Sequence, residues 1–250
     1  MHKYHFLVEY VGTNFIGWQT QKKGKSIQKT IQIVISRILK EKVKIIGSGR
    51  TDTGVHAIGQ SAHFECKKKI LNLSKFLNSI NFFLNKKYIS ILSIKKKKLS
   101  FHARYQAKLR SYIYVILNRS SPPSIYKNKV WHVKKKLDLK IMKKGAKKLL
   151  GNHDFSTFRA SNCYAKSPIK TLKKSYIQKK NDKILIKFVS KSFLRNQVRS
   201  MVGCLKLLGE NKWNIQDFKN AFLSKKRSNC APLAPPHGLF LLKICYNINN

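Results

Sequence analysis

Gly47-Ser-Gly-Arg-Thr-Asp-Thr-Gly-Val-His-Ala57 is the stretch on which the reading of this chain turns. Glycines at 47, 49 and 54 let the backbone turn sharply and let another group approach it closely. Asp52 is held among them, with Arg50 two residues before it. From the residues alone the loop has two readings. It can present a carboxylate beside a guanidinium for chemistry, or Asp52 can cap its own loop as an ordinary Asx-turn.

The pattern on either side is that of alternating helices and strands. Upstream, Phe6, Val8 and Tyr10 alternate along a strand that ends at Gly12. Ser26 then caps a helix carrying Ile27, Ile31, Val34, Ile35 and Ile38 at helical spacing. Downstream the spacing predicts a strand around Gln60–Glu65, a helix over Ser74–Leu84, a strand at Tyr88–Ile94 and a long strand at about Gln106–Leu117. The second half opens with Asp138 before a helix carrying Leu139, Met142, Ala146 and Leu149, closed by Gly151. Strands near Thr171–Lys179 and Ile184–Ser190 flank Asn181-Asp182 as a hairpin turn. A helix Phe193–Leu208, a shorter one at Ile215–Leu223 and a last strand Leu239–Tyr246 complete the chain. The expected class is α+β: two ferredoxin-like or RRM-like halves of β-α-β-β-α-β order, with a mixed, mostly antiparallel sheet and helices on one face. The boundary is drawn at residue 105. Residues 1–105 are expected to form an N-terminal half carrying the Asp52 loop, and 106–250 a C-terminal half that completes a cleft at that loop. Ser120-Ser-Pro-Pro-Ser124 follows the long strand too soon to be an interdomain linker.

Charge permits a polyanionic partner without establishing one. Lys and Arg total 53 against 9 Asp and Glu among 250 residues, a formal net charge of +44. Only nine of the cations are Arg and 44 are Lys. Lys, Asn and Ile crowd the whole chain, a bias that an A/T-rich gene produces by itself, and runs such as Lys95–Lys98 are ordinarily solvated loops. The few arginines are more informative, because a planar fork binds phosphate or carboxylate as lysine cannot. Five cysteines with no CxxC spacing argue against a zinc knuckle or a disulfide frame. His56 and His63 lack a third metal ligand at useful spacing. The start Met1-His-Lys-Tyr-His-Phe-Leu-Val-Glu-Tyr10 alternates like a strand and is not a signal peptide. No apolar run approaches the roughly 18 residues that span a bilayer. The expectation is a soluble, cytoplasmic protein without a membrane partner.

Gly49-Arg-Thr-Asp-Thr-Gly-Val-His-Ala57 closely resembles the catalytic loop of TruA-type tRNA pseudouridine synthases. Lys108-Leu-Arg-Ser-Tyr-Ile-Tyr114 resembles that family's second motif, and Phe193-Leu-Arg-Asn-Gln-Val-Arg-Ser-Met-Val-Gly203 its third. Phe101-His-Ala-Arg104, His153-Asp-Phe-Ser-Thr-Phe-Arg159 and Ala234-Pro-Pro-His-Gly-Leu239 are similar to further signatures. In order, these segments take the resemblance from Tyr4 to Leu242, nearly the whole chain. Two positions depart from the pattern: Gln197 stands where methionine is usual, and Lys170 where arginine is common.

The resemblance implies the pseudouridine synthase fold and isomerisation of uridines at positions 38, 39 and 40 of the tRNA anticodon stem-loop. It implies no cofactor and no metal, tRNA as partner, and a homodimer. Asp52 would be the essential catalytic carboxylate and Arg199 its guanidinium partner. Tyr112 would stack on the flipped uracil, and Arg50 would fill the vacated space or hold the flipped nucleotide. Each residue also has an ordinary reading. Tyr on a strand usually packs, and Arg195 and Arg199 fall together on the flank of a helix whose apolar arc is Leu194, Val198, Val202 and Leu205. His237 reads as loop structure rather than a proton shuttle, and Cys163 and Cys204 as packing residues. The rival function is a non-catalytic RNA-binding protein. It lacks the expected RNP1 string, whereas the Asp52 loop is intact. An inactive scaffold would have released Asp52, Tyr112 and Arg199 to drift, and all three stand in the chain.

Overall fold

A computed structural model describes residues 1–247. In chain order the strands are β1 (His2–Tyr10), β2 (Ile46–Gly47), β3 (His56–Cys66), β4 (Ile89–Lys97), β5 (Leu109–Asn118), β6 (Trp131–Val133), β7 (Gly151–Asp154), β8 (Ile169–Lys180), β9 (Lys183–Ser190) and β10 (Leu239–Cys245). The helices are α1 (Ile27–Leu39), α2 (Leu73–Leu84), α3 (Leu139–Lys148), α4 (Gln197–Gly209) and α5 (Ile215–Leu223). Contacts divide the chain into two compact units, Met1–Lys108 with the chain from Leu241 onward, and Leu109–Phe240.

The first unit runs β1-α1-β2-β3-α2-β4 and adds most of β10. Its strands are ordered β4-β1-β3-β10, with β2 also paired to β3. β1 is antiparallel to both neighbours, Phe6 lying opposite Ala62 of β3 and Ile94 of β4. Tyr4, Phe6, Val8 and Tyr10 point to one face and are buried, the period-2 pattern that a half-buried strand requires. α1 buries Ile27, Ile31, Val34, Ile35 and Leu39, each side chain contributing about 1.5–3 kcal/mol on leaving water. Its start is fixed by Ser26, whose Oγ accepts from Lys29 N at 3.2 Å.

In the second unit the order is β5-β9-β8-β7, antiparallel throughout, and the short β6 lies parallel to β5. Asn181 turns the β8–β9 hairpin with φ +53°, a conformation that asparagine tolerates better than most residues. Asp138 caps α3, and Asn214 forms a reciprocal capping box with Asp217 at the start of α5. α3 and α4 approach closely at small residues. A methyl on Gly145 would lie 2.4 Å from Leu208 Cδ1, and one on Gly209 would lie 2.7 Å from Met142 Sδ.

Three local expectations are corrected. α4 begins at Gln197 rather than Phe193, because Asn196 adopts φ +64° and ends a turn before the helix. Arg195 therefore precedes the helix and shares no helical flank with Arg199. Gly151 does not close α3; it opens β7 with φ +101°. The short β2, β6 and β7 carry too little alternation to be read from sequence.

Candidate active site

The Asp52 loop sits between β2 and β3 and is gripped from three sides within the first unit. The segment from Gly12 to Trp18 lies against it: Trp18 N donates to Thr51 O at 3.1 Å, Gly54 N to Phe15 O at 3.3 Å, and Thr53 Oγ1 to Ile16 O at 3.1 Å. Gly17 has φ +103°, and a methyl there would fall 2.4 Å from Thr51 O. Gly12 is tighter still, since a methyl would stand 2.0 Å from Val55 O. Underneath, Tyr10 and Thr51 join hydroxyls at 2.8 Å and Gly47 packs on the Trp18 indole. On the third side Gln60 Nε2 donates to Gly49 O at 2.9 Å, while Gln60 Oε1 accepts from Ser48 Oγ.

These contacts bury Ser48, Thr51, Val55 and His56 and leave Asp52 half-buried and Arg50 exposed. Val55 N donates to Asp52 O at 3.1 Å across a turn whose third residue, Gly54, has φ +77°, the position where type II turns call for glycine. The carboxylate is thus carried on backbone fixed at residues 51 and 55. His56 and His63 serve structure: each spends its Nδ1 on a backbone N–H, from Gly12 at 3.0 Å and from Ala103 at 3.2 Å.

Tyr112 and Arg199 belong to the second unit. Residues two apart on a strand share a face, so Tyr112 and Tyr114 lie on the same side of β5. Tyr114 is fully enclosed, edge-on to Trp131, and its OH donates to Pro235 O at 2.8 Å; burial pushes its ionisation well above the usual range. Tyr112, 9% exposed, meets Phe193 edge to face at 5.2 Å. Arg199 is half-buried in the first turn of α4, and its Nε donates to Ala234 O at 2.7 Å. Ala234 N returns a bond to Arg199 O at 3.3 Å. The Ala234–Gly238 segment thus clasps Arg199 at one end and the Tyr114 ring, against which Gly238 is packed, at the other. His237 lies in this segment, its pKa lowered first by burial and then by the Arg199 charge.

Gln197 has a structural use that methionine could not fill, for its Oε1 accepts from Leu194 N at 2.8 Å and ties down the turn before α4. Lys170 likewise donates to Ser167 O and Ile169 O. Gly12 marks the end of a strand in the sequence and Gly17 and Trp18 carry no motif there, although two glycines around Phe15 and Ile16 are a signal of close backbone approach. Arg50 and Asp52 stand on the same loop, Arg50 exposed and Asp52 half-buried.

A family model described as tRNA pseudouridine synthase matches residues 6–106 and 146–247. A tRNA pseudouridine synthase A of Pelagibacter ubique is 62% identical over 246 residues, covering 98% of this chain and all of that protein. The proteins of the same name from Caulobacter vibrioides and Neorickettsia sennetsu are 41% and 40% identical, each over 98% of this chain and at least 99% of their own length. Among solved structures, a Cbf5–Nop10–Gar1 complex aligns over 82% of this chain and 54% of its own, at 12% identity and a TM-score of 0.33.

Proposed function

The chain belongs to the tRNA pseudouridine synthase family, an isomerase family, and from that premise we propose that it converts uridine to pseudouridine at positions 38, 39 and 40 of the tRNA anticodon stem-loop, with Asp52 as the essential carboxylate. Uracil leaves C1′, turns within the site and rejoins the ribose through C5. Atoms and electrons balance within the nucleotide, so the chain has only to extrude the base, hold it and manage charge and one proton. Asp52 acts on the ribose side, as nucleophile at C1′ or as base toward a ribose proton, and either role needs the ionised form.

The observation that carries the reading is the loop itself, a single half-buried acid on backbone held by Trp18 N, Phe15 O and Gln60. Such holding favours catalysis because it removes the cost of orienting the carboxylate at the moment of reaction. Arg50, exposed beside it, is assigned to the flipped nucleotide, whose extrusion costs a few kcal/mol. Tyr112 is assigned to stacking on uracil, and Arg199 to the guanidinium that keeps the carboxylate ionised. Working as a homodimer in the cytoplasm, with 1–105 and 106–250 as the halves that complete the cleft, belongs to the same proposal. Among the described residues no helix is long and apolar enough to cross a membrane.

The test maps pseudouridine in unmodified tRNA before and after incubation with purified protein and with Asp52→Asn. The expected result is new pseudouridine at 38–40 with the native chain and none with the variant, at equal tRNA affinity. Modification elsewhere, or an Asp52→Asn protein keeping a tenth or so of the single-turnover rate, overturns it; that rate corresponds to only about 1.4 kcal/mol of transition-state stabilisation.

A further inference from the structure

Two sulfur atoms that the proposed chemistry leaves unused meet in the second unit. Cys204 on α4 and Cys230, just after the turn at Arg227–Asn229, are 26 residues apart in the chain, yet their Sγ atoms stand 3.5 Å apart. Both are free thiols, Cys204 buried and Cys230 half-buried. They are chemically unequal. Cys230 is held below the usual thiol range, first by the hydrogen bond from Cys204 and then by the Arg227 charge. The same hydrogen bond, with burial, pushes Cys204 far above it. A half-buried thiol biased to thiolate, beside a second thiol, is the arrangement of a nucleophile and its resolving partner.

We propose that Cys204 and Cys230 are a redox-active dithiol that hydrogen peroxide closes to a disulfide, and that closure slows catalysis by shifting the segment that anchors Arg199. The Cys230 thiolate attacks one peroxide oxygen, giving a sulfenic acid and hydroxide. The Cys204 thiol then attacks the sulfenic sulfur; the S–S bond forms, the S–O bond breaks, and hydroxide leaves with the Cys204 proton as water. Two thiols are oxidised by two electrons, and one peroxide is reduced to two waters.

A disulfide needs its sulfurs at about 2.05 Å, so they must close by roughly 1.5 Å from their present separation. The segment beyond Cys230 has no slack to absorb this against α4. Ala231 N already donates to Cys204 Sγ at 3.4 Å, and Pro232 O lies where a methyl on Gly203 would stand 2.2 Å away. Two residues on, Ala234 O accepts from Arg199 Nε. A displacement of about 1 Å at a catalytic group is enough to cost up to a hundredfold in rate.

The effect on rate rests on the proposed function; the dithiol itself does not. The experiment treats reduced full-length protein, with Cys163 and Cys245 replaced by Ser, with graded hydrogen peroxide. Peptide mapping and single-turnover assays on tRNA follow. The expected result is loss of two hydrogen atoms per chain, a linked peptide joining Cys204 to Cys230, and a rate fall of roughly tenfold or more that dithiothreitol reverses. Cys230→Ser in the same background should keep its rate under the same peroxide. Cys204 and Cys230 that stay separately alkylatable, at doses that oxidise Cys163 in the parent chain, overturn the dithiol. A complete disulfide with an undiminished rate overturns its link to Arg199. A reduced protein inactive on tRNA counts against the proposed function, while the mapping still decides the dithiol.

Discussion

Gly12→Ala is the sharpest test of how the carboxylate is held, because it adds one carbon and alters no charge. That carbon would lie 2.0 Å from Val55 O and 2.6 Å from Val55 C, both backbone atoms that no rotamer change can move. Ordinary carbon–oxygen contacts are about 3.3 Å, so the two chain segments must part by roughly 1.3 Å. Parting them breaks the hydrogen bond from Gly12 N to His56 Nδ1, in a residue that is 1% exposed. Losing that buried bond costs about 1–3 kcal/mol and the overpacking about 1–3 kcal/mol, together roughly 2–6 kcal/mol against the first unit. Val55 N is bonded to Asp52 O, so the displacement reaches the carboxylate, and single-turnover rate should fall about a hundredfold. Gly24→Ala is the comparison. It has φ +89° but meets only the flexible Ile16 side chain, at 2.7 Å, and should cost about 1 kcal/mol with turnover intact. Hydrogen exchange by mass spectrometry in graded urea reads the first unit separately from the second. A Gly12→Ala protein with wild-type protection in β3 and wild-type turnover would refute the idea that this contact sets the loop.

Tyr112→Phe keeps the ring against Phe193 and should stay active if stacking is its role, whereas a Phe variant that binds tRNA yet stalls after glycosidic cleavage would move the hydroxyl into the proton step; an unchanged Tyr112→Leu variant would remove the residue from the site. Arg199→Lys keeps the charge but loses the fork that donates to Ala234 O, so the chemical step should slow markedly with the salt slope of tRNA binding unaltered; weaker binding with wild-type turnover of bound tRNA would make it a phosphate clamp. That slope should itself correspond to a handful to about ten phosphates at about −0.9 per contact, far below the formal +44. His5 and His63 are held neutral near pKa 4, in both cases first by burial, then by Lys97 and Lys95 for His5 and by His102 and Lys3 for His63. Since the unfolded chain takes up those protons near pH 6.5, the stability of the first unit should be full above that pH and fall steadily as pH drops toward 4; a melting temperature that is flat across this window would contradict it.

What the sequence disclosed was local and periodic. α5 was legible to the residue, Ile215–Leu223, because Phe218 and Phe222 keep helical spacing and are buried. α1 was legible because Ser26 caps a run of isoleucines. α4 starts later than its spacing suggests, since Leu194 and Val198 keep helical spacing across a turn that only the left-handed Asn196 reveals. The Asp52 loop was legible as a loop through its glycines, and as a candidate site only through its resemblance to a known family. What grips it was not legible. Gly12 and Trp18 act through backbone contacts more than thirty residues away in sequence, and a glycine that accepts a carbonyl looks the same as one that merely turns. Cys204 and Cys230 carry no motif at all; only the course of the chain after α5 brings them together.

β10 has a consequence for how the molecule comes into being. Its residues from Leu241 complete the first unit, beside β3, while everything from Leu109 to Phe240 is synthesised in between. Lys108 N waits for Cys245 O, and the Ser61 hydroxyl and Ala103 carbonyl wait for the Tyr246 phenol. On the ribosome, then, the part made first is finished last. At some 5–20 residues per second, the part of the nascent β3 edge that β2 leaves uncovered stays open for roughly ten seconds or more, and an open edge invites pairing with foreign strands.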